Sequence, residues 1–198
     1  MDDKTRAYIN GLKLEEIPWH RFLTDCGTAY EFVDALANMD ATDDADDWED
    51  DLTIIEAFEN QGTLFSPAAP YSLVFLVRML DKRLSSGNNT DNAIAEKLVE
   101  FLSYCAEVCA DAEKLEHAEP PAEFADMLDE EYLLPDDCNE DGLEEIIEET
   151  FEDSDAIPDS LYYGFYYYSG KVLSQVPDIL DKYGKFVGES KKIRKILS

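Results

Sequence analysis

The best-spaced set of chemically capable residues in this chain is a ladder of oxygen ligands. Asp137-Cys138-Asn139-Glu140-Asp141-Gly142, five further residues and then Glu148 fit the calcium-loop pattern D-x-[DN]-x-[DN]-G-x5-E. In such a loop alternate side chains converge on one cation, the glycine makes the sharp turn and the last glutamate binds through both oxygens. The flanks read otherwise. Pro135 stands where an entering helix should still run, and Glu144 takes a position that is normally aliphatic. Leu143, Ile146, Ile147 and Phe151 recur at helical spacing straight across the supposed loop. The segment is better read as an acidic helix cap, and no metal is assigned to it.

Other chemistries find less support. His20 and His117 have no neighbours at metal-ligand or proton-relay spacing, and no HExxH, P-loop, GxGxxG or nucleophile elbow occurs. Pairs of carboxylates could be drawn from anywhere in so acidic a chain, so a glycosidase-like pair carries no information. No catalytic residue and no cofactor is assigned. Cys26, Cys105, Cys109 and Cys138 are expected as reduced thiols, with Cys105 and Cys109 acting as small core residues of an apolar helix. The cluster Tyr162, Tyr163, Phe165, Tyr166, Tyr167 and Tyr168 could stack bases, but it lacks the interleaved Arg and Lys of such platforms. It reads either as core or as a partly exposed protein-binding patch.

Charge is the stronger signal. The 198 residues carry 46 Asp and Glu against 16 Lys and Arg, a net charge of −30. Asp40 to Glu59 contains no Lys or Arg, and Glu107 to Asp159 contains only Lys114. Most basic residues near the C-terminus fall in one stretch: Lys182, Lys185, Lys191, Lys192, Arg194 and Lys195. Such a field repels nucleic acid and anionic lipid and attracts basic surfaces. With 45% hydrophobic and 12% aromatic residues the chain should fold beneath an acidic skin, and salt should stabilise it. The acidic face is either a site for a basic partner or a device for solubility or halophily. Against halophily stand the large aromatics, the isoleucines and the lysine-rich C-terminal stretch. The N-terminal stretch is charged and no apolar run approaches the ~20 residues of a membrane span, so a soluble, cytosolic chain is expected.

The elements that must position these groups are helical nearly throughout. Pro18 predicts a short helix over Trp19–Leu23 that Gly27 ends. Thr28 predicts a cap for a helix with Tyr30, Val33 and Leu36 on one face. A third helix carries Trp48, Leu52, Ile55 and Phe58 on one stripe and acid elsewhere. Leu73–Leu84 reads as the central buried helix. After a loop at Ser85–Asn89, Thr90 or Asp91 caps a long helix with Ile94, Leu98, Phe101, Leu102, Cys105 and Cys109. Pro120-Pro121 breaks the chain before a helix over about Ala122–Tyr132. Pro158 opens the tyrosine helix, and Gly170 and Pro177 divide the last ones. No strand alternation is visible. The expected fold is all-α: antiparallel helix pairs in a short α-solenoid or irregular bundle, forming a single domain over residues 1–198.

Ile17-Pro18-Trp19, Cys26-Gly27-Thr28-Ala29, Asn60-Gln61-Gly62-Thr63-Leu64-Phe65 and Ala69-Pro70-Tyr71-Ser72-Leu73-Val74-Phe75-Leu76 follow one another in this order. This arrangement, over about residues 17–80, resembles a family of bacterial HEAT-like α-helical proteins. Its members resemble immunity proteins of polymorphic toxin and contact-dependent growth inhibition systems. The family often places His before the Gln-Gly-Thr turn, where Asn60 stands here. The resemblance implies a HEAT-like part over 1–112, an acidic, Tyr-rich helical elaboration over 113–198, and no enzymatic activity. It implies a protein that binds and neutralises one cognate toxin domain, a basic nuclease, as a monomer in a 1:1 complex. An acidic DNA mimic or regulator that sequesters a nucleic-acid-binding protein is the alternative. The expected docking residues are Asp43, Asp44, Asp46, Asp47, Glu49, Asp50 and Asp51. A second acidic face offers Glu144, Glu145, Glu148, Glu152, Asp153 and Asp155 beside Tyr162 and Tyr166.

Overall fold

The computed structural model describes residues 1–24, 27–60, 62–64, 66–110, 118–136, 138, 142–143 and 157–198. Its helices are α1 (Asp3–Gly11), α2 (Phe32–Ala41), α3 (Ala45–Ile55), α4 (Ala68–Ser86), α5 (Asn89–Ala110), α6 (Asp159–Leu173), α7 (Val176–Tyr183) and α8 (Val187–Ile196). The fold is an all-α, irregular helical bundle. Helices α4 and α5 form its central hairpin. On one flank α2 and α3 pair, with α2 against α4 and α3 against α5. On the other, α6 lies along α4 and α5, and the α7–α8 pair closes the end. One buried cluster runs from Ile9 to Ile193, so residues on both sides of the Pro120-Pro121 break share a core.

The sequence explains the centre. Helix α4 is apolar on nearly every side, and Leu73, Leu76 and Leu80 are fully buried. Gly87 ends it in the left-handed region, φ 70°. The residue that caps α5 is Asn88, whose Oδ1 accepts from the Asp91 amide at 2.8 Å, rather than Thr90 or Asp91.

Several local expectations are corrected. Trp19–Arg21 is a 3-10 turn, not a short α-helix, and Trp19 Nε1 donates to the Leu14 carbonyl at 2.9 Å. Short antiparallel strands follow: β1 (Leu23–Thr24) pairs with β2 (Gly27–Thr28), and β3 (Glu59–Asn60) with β4 (Thr63–Leu64). Two-residue strands leave no alternation to read. Thr28 makes no side-chain cap. The buried face of α2 is Phe32, Ala35, Leu36 and Met39, while Tyr30 is 66% exposed. In place of an α-helix near Ala122–Tyr132 stand two 3-10 turns, Phe124–Leu128 and Glu130–Tyr132. Gly170 stays inside α6, which breaks only at Ser174.

Contacts on two sides fasten the 118–136 segment to the bundle. Arg21 grips Glu130 with both Nη atoms, at 3.0 and 2.6 Å, and donates through Nε to the Leu134 carbonyl at 2.5 Å. On the other side, Gly164 of α6 lets Pro121 approach closely. A Cβ built there would meet Pro121 Cδ at 2.7 Å. Overpacking of this kind costs about 1–3 kcal/mol, whereas Ala gains at most about 1 kcal/mol in helix propensity. Gly164→Ala should therefore lower the unfolding free energy by about 1 kcal/mol in a urea titration. A stabilised variant would show that the proline segment yields freely.

Candidate functional site

The acidic segment is carried by a short helix whose inner face is fixed. Asp44 caps α3 by accepting from the Asp46 amide at 2.9 Å. Trp48, Leu52 and Ile55 are buried, and Phe58 continues their stripe in the 3-10 turn Glu56–Phe58. Trp48 Nε1 reaches Met79 Sδ at 3.4 Å. With that stripe turned inward, Asp46, Asp47 and Asp50 stand exposed and make no ion pair among the described residues. Glu49 pairs with Lys97, and Asp51 is only partly exposed. Burial raises the Asp51 carboxyl above its usual range; Asn38 opposes this by hydrogen bonding, and Asp47 and Asp50 add to it.

The start of this segment is held by a buried arginine. Arg83 Nη1 meets Asp91 Oδ1 at 2.6 Å. Its Nη2 donates to the carbonyls of Met39, Asp40 and Thr42 at 2.8, 3.2 and 2.7 Å. These carbonyls end α2, so one side chain satisfies the helix terminus and fixes the turn into α3. Asp43, 91% exposed, lies 3.7 Å from the same guanidinium. Ser86 and Asn88 complete the shell of Asp91, whose carboxyl is held below its ordinary range first by Arg83 and then by Ser86.

The acidic face is wider than the sequence reading made it. Glu56 and Glu59 follow α3, and Tyr104 of α5, 42% exposed, lies beside Glu59. Burial, followed by Glu59, pushes the Tyr104 phenol up to about 12. The spacing could have revealed this residue. Leu98, Phe101, Leu102 and Cys105 mark the inner stripe of α5, so Glu100 and Tyr104 lie off it. Burial, then Glu59 and Glu49, raises the Glu56 carboxyl. A raised carboxyl favours folding below its unfolded pKa and loses that contribution as pH rises through the folded value. Glu56→Gln should thus raise the melting temperature at neutral pH and low salt, with a gain within about 0.5 kcal/mol. The gain should vanish in acid and shrink in high salt.

Of the second face, Glu144, Glu145, Glu148, Glu152, Asp153 and Asp155 lie outside the described residues, as does most of the calcium-loop match. The tyrosines beside it are placed, and one must be corrected. Tyr166 is 6% exposed, accepts from the Leu64 amide at 3.0 Å and shares a 3.2 Å hydrogen bond with Tyr162, so it is a core residue. Tyr162 is half-buried. Tyr168 donates to the Pro121 carbonyl at 2.7 Å, and burial pushes its phenol up to about 12. Cys105 and Cys109 are buried, and burial raises both thiols, Cys109 to about 12. Neither is poised as a thiolate nucleophile.

Among the described residues no group of three or more His, Cys, Asp or Glu could hold a metal ion. No helix is long and apolar enough to cross a membrane. Cations are largely committed within the fold: Lys13 to Glu16, Lys82 to Asp40, Lys182 to Asp81, Lys192 to Glu107, and Arg194 to Asp178 and Asp181. No family model, no curated protein and no solved structure matches the chain.

Proposed function

We propose that this chain is a cytosolic immunity protein that binds one basic toxin domain, a nuclease, and neutralises it in a 1:1 complex. The observation that carries the reading is the outer face of α3. Asp46, Asp47 and Asp50 are exposed on a helix whose inner face and leading turn are both fixed. A rigid array of like charge costs little to order on binding. The long-range field of a −30 chain would steer a basic partner to it, raising association toward ~10⁸ M⁻¹s⁻¹ at low salt. Toxin domains that cut nucleic acid need basic clefts, and a carboxylate row covering such a cleft would take the place of phosphates. Tyr104, exposed among Glu56 and Glu59, supplies the kind of aromatic anchor that interfaces concentrate at their centres.

The test is co-expression with the toxin domain encoded beside the chain's own gene. The proposal expects restored growth and a co-purifying 1:1 complex. Restored growth without a complex would point to an indirect route. A complex with a host nucleic-acid-binding protein, but not with the toxin domain, would favour the DNA-mimic alternative.

A further inference from the structure

We propose that the cleft between α1, α4 and α7 binds a small organic anion, a carboxylate or phosphate head on an apolar body. The cleft has a volume of about 640 Å³, within the range of small-molecule sites. Its lining is mixed, with Ile9 from α1, Val74 and Val77 from α4 and Ile179 from α7 beside the polar Asn10 and Gln175. Its charge runs against the rest of the molecule. Arg6, Arg78 and Lys182 line it against Asp81 and Asp178. Both carboxylates are paired, Asp81 with Lys182 Nζ at 2.8 Å and Asp178 with Arg194 Nη2 at 2.9 Å, which it shares with Asp181. Three cations against two carboxylates leave the lining net positive in a chain of net charge −30.

Those arginines differ from the others of the described fold. Arg21, Arg83 and Arg194 each have a carboxylate partner. Arg6 and Arg78 have none among the described residues. Arg78 is half-buried and stacks 5.2 Å from the Phe75 ring centroid. Its Nη1 donates to the Leu12 carbonyl at 2.8 Å and its Nη2 to that of Ile9, which closes the end of α1. A guanidinium has five donors, so three remain. Burial lowers the Arg78 pKa, as for a cation shielded from water without a counter-charge. Arg6 is exposed at the same cleft and its side chain is uncommitted. A partly desolvated cation and one without a carboxylate partner among the described residues, beside Val74, Val77 and Ile179, fit an anion with an apolar tail. The cleft uses none of the α3 carboxylates, so it stands apart from toxin docking.

The test is a nuclear magnetic resonance titration of the whole labelled chain with octanoate, acetate and octan-1-ol. Octanoate should saturate a single site and shift the methyl signals of Val74, Val77 and Ile179. Acetate, lacking the body, and octan-1-ol, lacking the charge, should each bind at least about tenfold more weakly. Arg6→Gln, at an exposed position that leaves the fold intact, should weaken octanoate by about tenfold or more, the worth of one charge-assisted hydrogen bond. Lys195→Gln, at an exposed position outside the cleft, should change nothing. The proposal fails if octanoate does not saturate, if its shifts map elsewhere, if octan-1-ol binds as well, or if Arg6→Gln binds like the parent.

Discussion

Replacing Arg83 by Met should lower the unfolding free energy by about 3 kcal/mol, a large share of the ~5–15 kcal/mol that a domain has in total. The loss has two parts. Asp91, 6% exposed, is left as a buried carboxylate without its cation. The carbonyls of Met39, Asp40 and Thr42 lose their shared donor. Removing one partner of a buried pair costs about 3–5 kcal/mol, and the lower end applies because the α4–α5 turn around it is exposed. Asp91→Asn should cost less than Arg83→Met, since Arg83 still satisfies the end of α2. The pair also sets a pH limit. Its carboxyl is depressed in the folded state, so its contribution is present above the ordinary carboxylate pKa of about 3.9 and is lost as pH falls through the lower folded value. Urea titrations from neutral to acid pH should show the parent losing its advantage over Arg83→Met in acid. Equal stability of the two proteins at neutral pH would show that the pair anchors nothing.

The second large effect concerns association. Reversing Asp46, Asp47 and Asp50 to Lys should leave the bundle folded, because exposed charge changes cost within about 0.5 kcal/mol each. The same change should slow association with the proposed toxin partner by about tenfold or more at low salt. The deficit should narrow once the Debye length shrinks from ~10 Å at 0.1 M salt to ~3 Å at 1 M. Reversal of Glu144, Glu145 and Glu148 is the matched comparison. If that set slows association and the α3 set does not, the docking face lies on the second acidic region.

What the sequence revealed follows from what local spacing can encode. Trp48, Leu52, Ile55 and Phe58 recur at three and four residues, and they are buried together. The apolar run Leu73–Leu80, interrupted only by Arg78, marks the central helix, and the charge run marks the exposed side of α3. What remained hidden depends on partners far along the chain. Arg78 looks like a break in an apolar run, yet it closes α1 through carbonyls 66 and 69 residues away. Arg83 does the same for α2 across 41 to 44 residues. Tyr30 leaves the buried face because Ala29–Glu31 winds as a 3-10 turn before α2 begins, which shifts the helical phase. Tyr166 looked available because a run of tyrosines does not show which hydroxyl a distant amide, here that of Leu64, will take up.

Hydrogen exchange of the chain, free and mixed with the toxin domain proposed as its partner, tests the central claim most directly. Amides from Asp44 to Glu59 should exchange more slowly in the complex, together with those around Tyr104, while α7 and α8 remain unchanged. A complex that protects other segments and leaves Asp44–Glu59 as in the free protein, or no complex at all, would contradict the account.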